Sequence, residues 1–268
     1  MNSSPSKRPI ALVTGATSGF GQAVTRRLLQ AGWTVIGTGR RADRLQALAE
    51  SDPDRFHPLP FDISDRGACE RAFAELPLEL QEIELLINNA GLALGLEPAN
   101  EANLDGWEQM IDTNIRGLVV MTRLVTPGMV KRGRGLVVNL SSIAATYPYP
   151  GSNVYGGTKA FVTQFSLNLR ADLHGSGVRV TSIEPGLCKT EFSLVRFGGD
   201  APSAEAPYAN TSYLSADDVA EAIFWVSTLP PHVNINRVEL MPVSQSFGGF
   251  PIHRTTTQSI ESEMSPHA

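Results

Sequence analysis

Ile10-Ala11-Leu12-Val13-Thr14-Gly15-Ala16-Thr17-Ser18-Gly19-Phe20-Gly21 joins a short apolar run to a glycine-rich turn. Beyond the turn, Phe20, Val24 and Leu28 recur at helical spacing up to Gly32. Glycines let a backbone approach a pyrophosphate closely, and the free amides and dipole at a helix N-terminus favour its negative charge. A glycine-rich turn alone also marks plain tight turns. Here a strand precedes it, a helix follows, and a second strand ends about twenty residues later, as a dinucleotide-binding fingerprint requires. Gly15, Thr17, Ser18, Gly19, Phe20 and Gly21 are therefore expected to contact a cofactor.

Further along, β-branched or apolar runs at 34–38, 56–61, 83–87, 136–140, 178–183 and 238–241 alternate with amphipathic segments, one of which carries Ile111, Ile115, Leu118 and Val119. Alternation of this kind predicts an α/β fold, a Rossmann-type doubly wound parallel sheet of about seven strands with helices on both faces. Such sheets bind ligands beyond the carboxyl ends of their strands, so polar residues just after strands carry the functional interest. With 268 residues and 42% hydrophobic side chains, the chain is expected to form one domain over 1–268. The least regular stretch, 187–213, holds Gly198, Gly199, Pro202 and Pro207 and reads as a substrate loop. A capped helix should follow near Ser215, with Asp218 three residues on. The tail 242–268, with Phe247, Gly248, Gly249 and Phe250, is apolar enough to pack on a neighbouring subunit.

The formal charge of −5 comes from interspersed acids and bases, which argues against nucleic acid or an anionic membrane surface as partner. Neither a signal-peptide core nor a run of membrane-spanning length is present, so a cytoplasmic protein acting on small molecules is expected. Cys69 and Cys188 stand in unrelated contexts, which suits a reducing compartment. His57, His174, His232, His253 and His267 lack metal-ligand spacing, and no metal is expected.

At the end of the second strand, where an NAD site would place an acid for the ribose 2′-hydroxyl, stands Gly39-Arg40-Arg41. A guanidinium there suits a 2′-phosphate, so NADP(H) is the expected cofactor. Asp62, followed by Ile63, has two evenly matched roles: accepting from the adenine amino group, or capping a helix that begins near Ser64. Tyr155 and Lys159 lie four residues apart at the start of a helical segment. That spacing puts both on one helix face, where the ammonium is expected to lower the tyrosine pKa. A surface tyrosine beside a lysine has the same spacing. Ser142 stands thirteen residues before Tyr155, just past a strand, and Asn114 lies in the preceding helix.

Together with Asn88-Asn89-Ala90-Gly91 after the fourth strand, and Pro185-Gly186 with Thr190 four residues on, these motifs resemble the short-chain dehydrogenase/reductase family over nearly the whole chain. The resemblance implies Tyr155 as general acid/base, and Lys159 as holder of the nicotinamide ribose. It also implies Ser142 as hydrogen-bond donor to the reacting oxygen and Asn114 as anchor of a relay water, with Asn88, Ala90, Gly91, Pro185, Gly186 and Thr190 at the cofactor. Phe20 departs from the aliphatic residue usual in the turn, which leaves its local packing open.

Stretches 88–95, 165–175 and 226–236 are similar to the NADP-dependent 3-hydroxy acid dehydrogenases, also called serine 3-dehydrogenases. That similarity implies a homotetramer and a small anionic hydroxy or carbonyl substrate. Arg196 is the candidate cation for the anion, with a solvent-facing loop arginine as the other reading, and Gln245 is a candidate helper from another subunit. Reduction of sulfoacetaldehyde to isethionate is the alternative within the enzyme class. A non-catalytic NADP(H)-sensing module is the alternative outside it.

Overall fold

The computed structural model describes residues 8–248. Seven parallel strands, β1 (Ile10–Thr14), β2 (Thr34–Gly39), β3 (Phe56–Pro60), β4 (Ile83–Asn88), β5 (Gly135–Leu140), β6 (Val178–Pro185) and β7 (Arg237–Leu240), form one sheet in the order β3-β2-β1-β4-β5-β6-β7. Strand order reverses between β1 and β4, and β3 and β7 are its two edges.

Period-two alternation of side chains splits the core into two layers. On one face Ala11 and Val13 of β1 pack with Val24 and Leu28 of α1 (Gly19–Gln30), Leu45 of α2 (Ala42–Ser51) and Ile223 of α9 (Ala216–Thr228). On the other, Ile10 and Leu12 pack with Cys69 of α3 (Arg66–Ala74), Val125 of α5 (Leu118–Arg132) and Leu169 of α6 (Asn153–Asp172). Phe20 settles against the first layer, which answers the packing question its size raised.

Several boundaries differ from expectation. The segment holding Ile111 and Leu118 is not one regular helix: α4 (Leu104–Ile111) passes into a π turn over Asp112–Gly117 before α5 begins. Asp62 does not cap a helix at Ser64. Its carboxylate accepts from the Ser64 amide and hydroxyl, while Asp65 caps α3 through the Ala68 amide. Stretch 187–213 holds α7 (Glu191–Arg196), α8 (Ala201–Glu205) and a 3-10 turn at Ala206–Tyr208. Ser215 and Asp218 form the full capping box at the head of α9. In the tail, Phe247 packs on Tyr147 with ring centroids 4.8 Å apart, whereas Gly249 and Phe250 lie outside the described residues. Among the described residues, no helix is long and apolar enough to cross a membrane.

A buried charge fixes the β7 edge. Glu184 on β6 is fully enclosed and accepts from Arg237 Nε at 2.9 Å and Nη2 at 2.5 Å, with Ser182 and Thr163 hydroxyls as further donors.

Gly21 shows how closely the first turn is packed: a Cβ there would run into the Gly15 carbonyl oxygen and the Asn89 side-chain amide. Gly21→Ala is expected to destabilise the fold by about 1–3 kcal/mol through overpacking and to weaken dinucleotide binding with it. Urea unfolding alongside a fluorescence titration checks both effects, and an unchanged midpoint would show that the turn relaxes freely.

Candidate active site

A cavity of about 340 Å³ opens beyond the carboxyl ends of the strands. At one end it is lined by Gly15, Thr17, Ser18, Gly19, Phe20, Arg40, Arg41, Asp62 and Ile63. Ala90, Gly91, Pro185, Gly186 and Thr190 line its middle, and Ser142, Tyr155 and Lys159 its other end. Expected site residues far apart in sequence are thus brought to one groove. Gly21, Asn88, Asn114, Arg196 and Gln245 do not line it.

Asn88, expected at the cofactor, does not line the groove. Its side chain points into the core, where Nδ2 donates to Thr122 Oγ1 at 2.9 Å and Asn139 Oδ1 at 2.8 Å. Successive strand residues face opposite ways, so the neighbouring Asn89 turns toward the groove. Its amide nitrogen donates to the carbonyls of Thr14 and Gly15, at 2.8 and 3.2 Å, and ties the end of β4 to the glycine-rich turn. Gly15 and Gly19 hold φ of +69° and +50°, a region that disfavours side chains. Ser18 makes no capping bond to α1, so the first amides of a 12-residue helix have no side-chain cap beside the groove. That arrangement fits a pyrophosphate.

The corner at the end of β2 carries more charge than Arg40 and Arg41 alone. Arg41 donates to Thr17 Oγ1 at 2.9 and 3.1 Å and to Ser18 Oγ at 2.6 Å. Arg40 is largely exposed, 3.9 Å from Asp62. Arg44 and Glu191 gave no sequence signal as a pair, standing 147 residues apart, yet they meet here. The Glu191 carboxylate accepts from Arg41 at 3.0 Å and from Arg44 at 2.9 and 3.0 Å. Loss of water pushes its pKa up, but the hydrogen bonds from Arg44 and Arg41 together hold it below the usual carboxylate range. Three guanidinium groups around one corner fit a nucleotide bearing a 2′-phosphate.

At the chemical end, Ser142 caps the 3-10 turn Ile143–Ala145 by accepting from the Ala144 amide, which fixes its hydroxyl at the groove. Tyr155 and Lys159 stand in the first turns of α6, both buried. Burial pushes the Tyr155 phenol up, with Tyr149 adding to it. A hydrogen bond to Ser142 and then the charge of Arg196 work the other way. The expected contact of ammonium and phenol is not the observed one. Lys159 Nζ donates to the Leu140 carbonyl at 2.8 Å and stands 5.8 Å from the Tyr155 ring centroid, while burial pulls its own pKa down to about 8. Asn114 lies behind the groove in the π turn: its amide donates to the Leu92 carbonyl and Thr158 Oγ1, and its oxygen accepts from the Leu92 amide.

Arg196 reaches the same end from above. Its Nε donates to the Gly95 carbonyl at 3.2 Å and Nη1 to the Tyr149 hydroxyl at 2.9 Å. The guanidinium carbon sits 5.4 Å from the Tyr155 ring centroid, and the enclosed Nη2 has no hydrogen-bond partner among the described residues. Gln245 makes an in-chain contact, its oxygen accepting from the Leu187 amide at 2.7 Å. Its side chain braces the 185–188 backbone beside Gly186.

A sequence profile described as short chain dehydrogenase matches residues 9–196. The chain is 57% identical over 243 residues to a serine 3-dehydrogenase of Agrobacterium fabrum, covering 91% of this chain and 97% of that one. It is 58% identical over 246 residues to the NADP-dependent 3-hydroxy acid dehydrogenase YdfG of Escherichia coli, covering 91% and 99%. Among solved structures, the closed form of a serine dehydrogenase complexed with NADP+ superposes with a TM-score of 0.91 at 57% identity, over 92% of this chain and all of that one. With the glycine-rich turn, the charged corner and the Ser142–Tyr155–Lys159 end joined in one groove, the chain belongs to the short-chain dehydrogenase family.

Proposed function

We propose that the protein is an NADP(H)-dependent oxidoreductase that interconverts a small 3-hydroxy acid, of the serine, allo-threonine or 3-hydroxypropionate type, and its 3-oxo acid or semialdehyde. The observation that carries the substrate class is the enclosed, unpartnered Arg196 Nη2 above Tyr155. A carboxylate two carbons from the reacting carbon is an acceptor of matching charge and reach. The names of the relatives, serine 3-dehydrogenase and 3-hydroxy acid dehydrogenase, point the same way and lend nothing to sulfoacetaldehyde.

When bound, the cofactor supplies or accepts the hydride. Tyr155 gives a proton to the developing alkoxide, or takes it from the alcohol in the reverse direction, and Ser142 donates a hydrogen bond to the same oxygen. Lys159 brings a second titratable group to the groove wall, anchored on the Leu140 carbonyl. Asn114 fixes the segment at Leu92 against Thr158 of the catalytic helix. Arg41, with Arg40 beside it, holds the 2′-phosphate, and the uncapped start of α1 the pyrophosphate. The 187–213 stretch, with α7 at its head, serves as the substrate lid. Ser142, Tyr155 and Lys159 standing together in one groove speaks for turnover over a sensing module.

Oxidation of NADPH with malonic semialdehyde and sulfoacetaldehyde side by side tests the reading. A preference of about 100-fold for the carboxylate, 2.7 kcal/mol of differential transition-state binding, is expected. Preference for the sulfonate would replace the substrate class. Arg196→Met is expected to raise KM for the carboxylate substrate by about tenfold or more, as for loss of a charge-assisted hydrogen bond. An unchanged KM would release Arg196 from the anion. We extend the reading to a cytoplasmic homotetramer, on the similarity to 3-hydroxy acid dehydrogenases; light scattering on the purified protein tests the assembly.

A further inference from the structure

The six residues of α7 run from the charged corner of the groove to Arg196 beside the Tyr155 ring. At its first residue, Glu191 occupies the guanidinium groups of Arg41 and Arg44. Its second, Phe192, packs against the Tyr155 ring at 5.6 Å between centroids. Its last, Arg196, stands over Tyr155 with a nitrogen lacking a partner among the described residues. The Thr190 hydroxyl caps the helix, and the Arg196 carbonyl accepts from the Gly95 amide, so both ends are pinned. Nothing in the dinucleotide fingerprint requires an acid at position 191, directly against the cations that would read a 2′-phosphate.

We propose that Glu191 is a cofactor-specificity residue: its carboxylate holds the place of the 2′-phosphate on Arg41, and the arriving phosphate displaces it, so that the placement of α7 and Arg196 depends on NADP(H) and not on NAD(H). The proposal rests on the NADP(H) reading and adds a positioning role to it. A phosphate monoester brings more charge and more acceptor oxygens than a carboxylate. Arg44 is what makes the exchange work, because it keeps a partner for Glu191 once Arg41 is taken. A cofactor without the 2′-phosphate leaves the bridge to Arg41 in place. Linkage then requires that the factor by which NADP(H) changes the affinity for the substrate anion is also the factor by which the substrate anion changes the affinity for NADP(H).

Glu191→Gln keeps the size of the side chain and removes its charge. Equilibrium fluorescence titration of the full-length protein with NADPH and NADH is the first measurement. Glu191→Gln is expected to tighten NADPH binding by about fivefold, the upper range for an exposed ion pair, and to leave NADH binding nearly unchanged. Arg44→Ala, which leaves Glu191 to Arg41 alone, should weaken NADPH binding, and adding Glu191→Gln should restore it. Hydrogen exchange over 191–196 should respond to NADPH and not to NADH in the wild type, and to both alike in Glu191→Gln; a merely structural role would not move that difference. Equal changes for NADPH and NADH, or weaker NADPH binding in Glu191→Gln, would overturn the proposal. A wild-type protein that binds NADH and not NADPH would instead overturn the cofactor reading beneath it.

Discussion

Tyr155→Phe is expected to lower turnover by about a thousandfold while NADPH still binds with nearly wild-type affinity. The substitution removes one oxygen and keeps the ring that packs against Phe192 and lies beneath Arg196. Because burial and Tyr149 push the phenol up in pKa, the protonated form predominates at neutral pH and is the competent acid for reduction. Oxidation needs the opposite form, so its rate should climb with pH over a range in which reduction does not. The check is a pair of measurements: single-turnover NADPH oxidation with malonic semialdehyde, and NADPH titration by fluorescence. Activity retained within about tenfold would move the proton to another donor, of which Ser142 is nearest by hydrogen bonding. Loss of binding with loss of turnover would mean that the hydroxyl supports the groove and not the chemistry.

Arg237→Met is expected to cost about 3 kcal/mol of stability, with the site chemically intact. Glu184 is fully enclosed, and removing its guanidinium leaves a buried charge with only the hydroxyls of Thr163 and Ser182 as donors. The lower end of the range for a broken buried pair applies because the Arg237 side chain is 41% exposed. Adding Glu184→Gln removes the stranded charge and should recover a large part of the loss. Urea denaturation at one fixed protein concentration measures both variants. A double variant no more stable than Arg237→Met would show that packing of the arginine stem, and not charge, holds β7.

The strands were legible because each is a short apolar run flanked by turn chemistry, and all seven stand within two residues of their expected ends. The capping box at Ser215 and Asp218 was legible for a similar reason: it is local, complete within four residues. What escaped was long-range or depended on phase. Asn88 and Asn89 are chemically alike, and only the pleat of β4 decides which amide turns to the glycine-rich turn. Asp62 and Asp65 both fit a cap, and the choice depends on where α3 starts. The meeting of Glu191 with Arg44 depends on the path of the chain after β6, which no local pattern specifies. The in-chain contact of Gln245 with the Leu187 amide joins residues 58 apart, which no local pattern specifies.

The two edges of the sheet have a consequence for assembly. β3 reads Phe56-His57-Pro58-Leu59-Pro60, and its two prolines lack the amide hydrogens that another strand would need. Edge-to-edge growth of the sheet is blocked on that side, a protection against aggregation in a protein whose inner strands are mostly buried and rich in Val, Ile and Leu. β7 is only four residues long and places Arg237 and Glu239 on one face. Of the two sheet edges, only β7 is open to a second copy of this chain, and a partner seated there would lie on the strand that Glu184 holds in place.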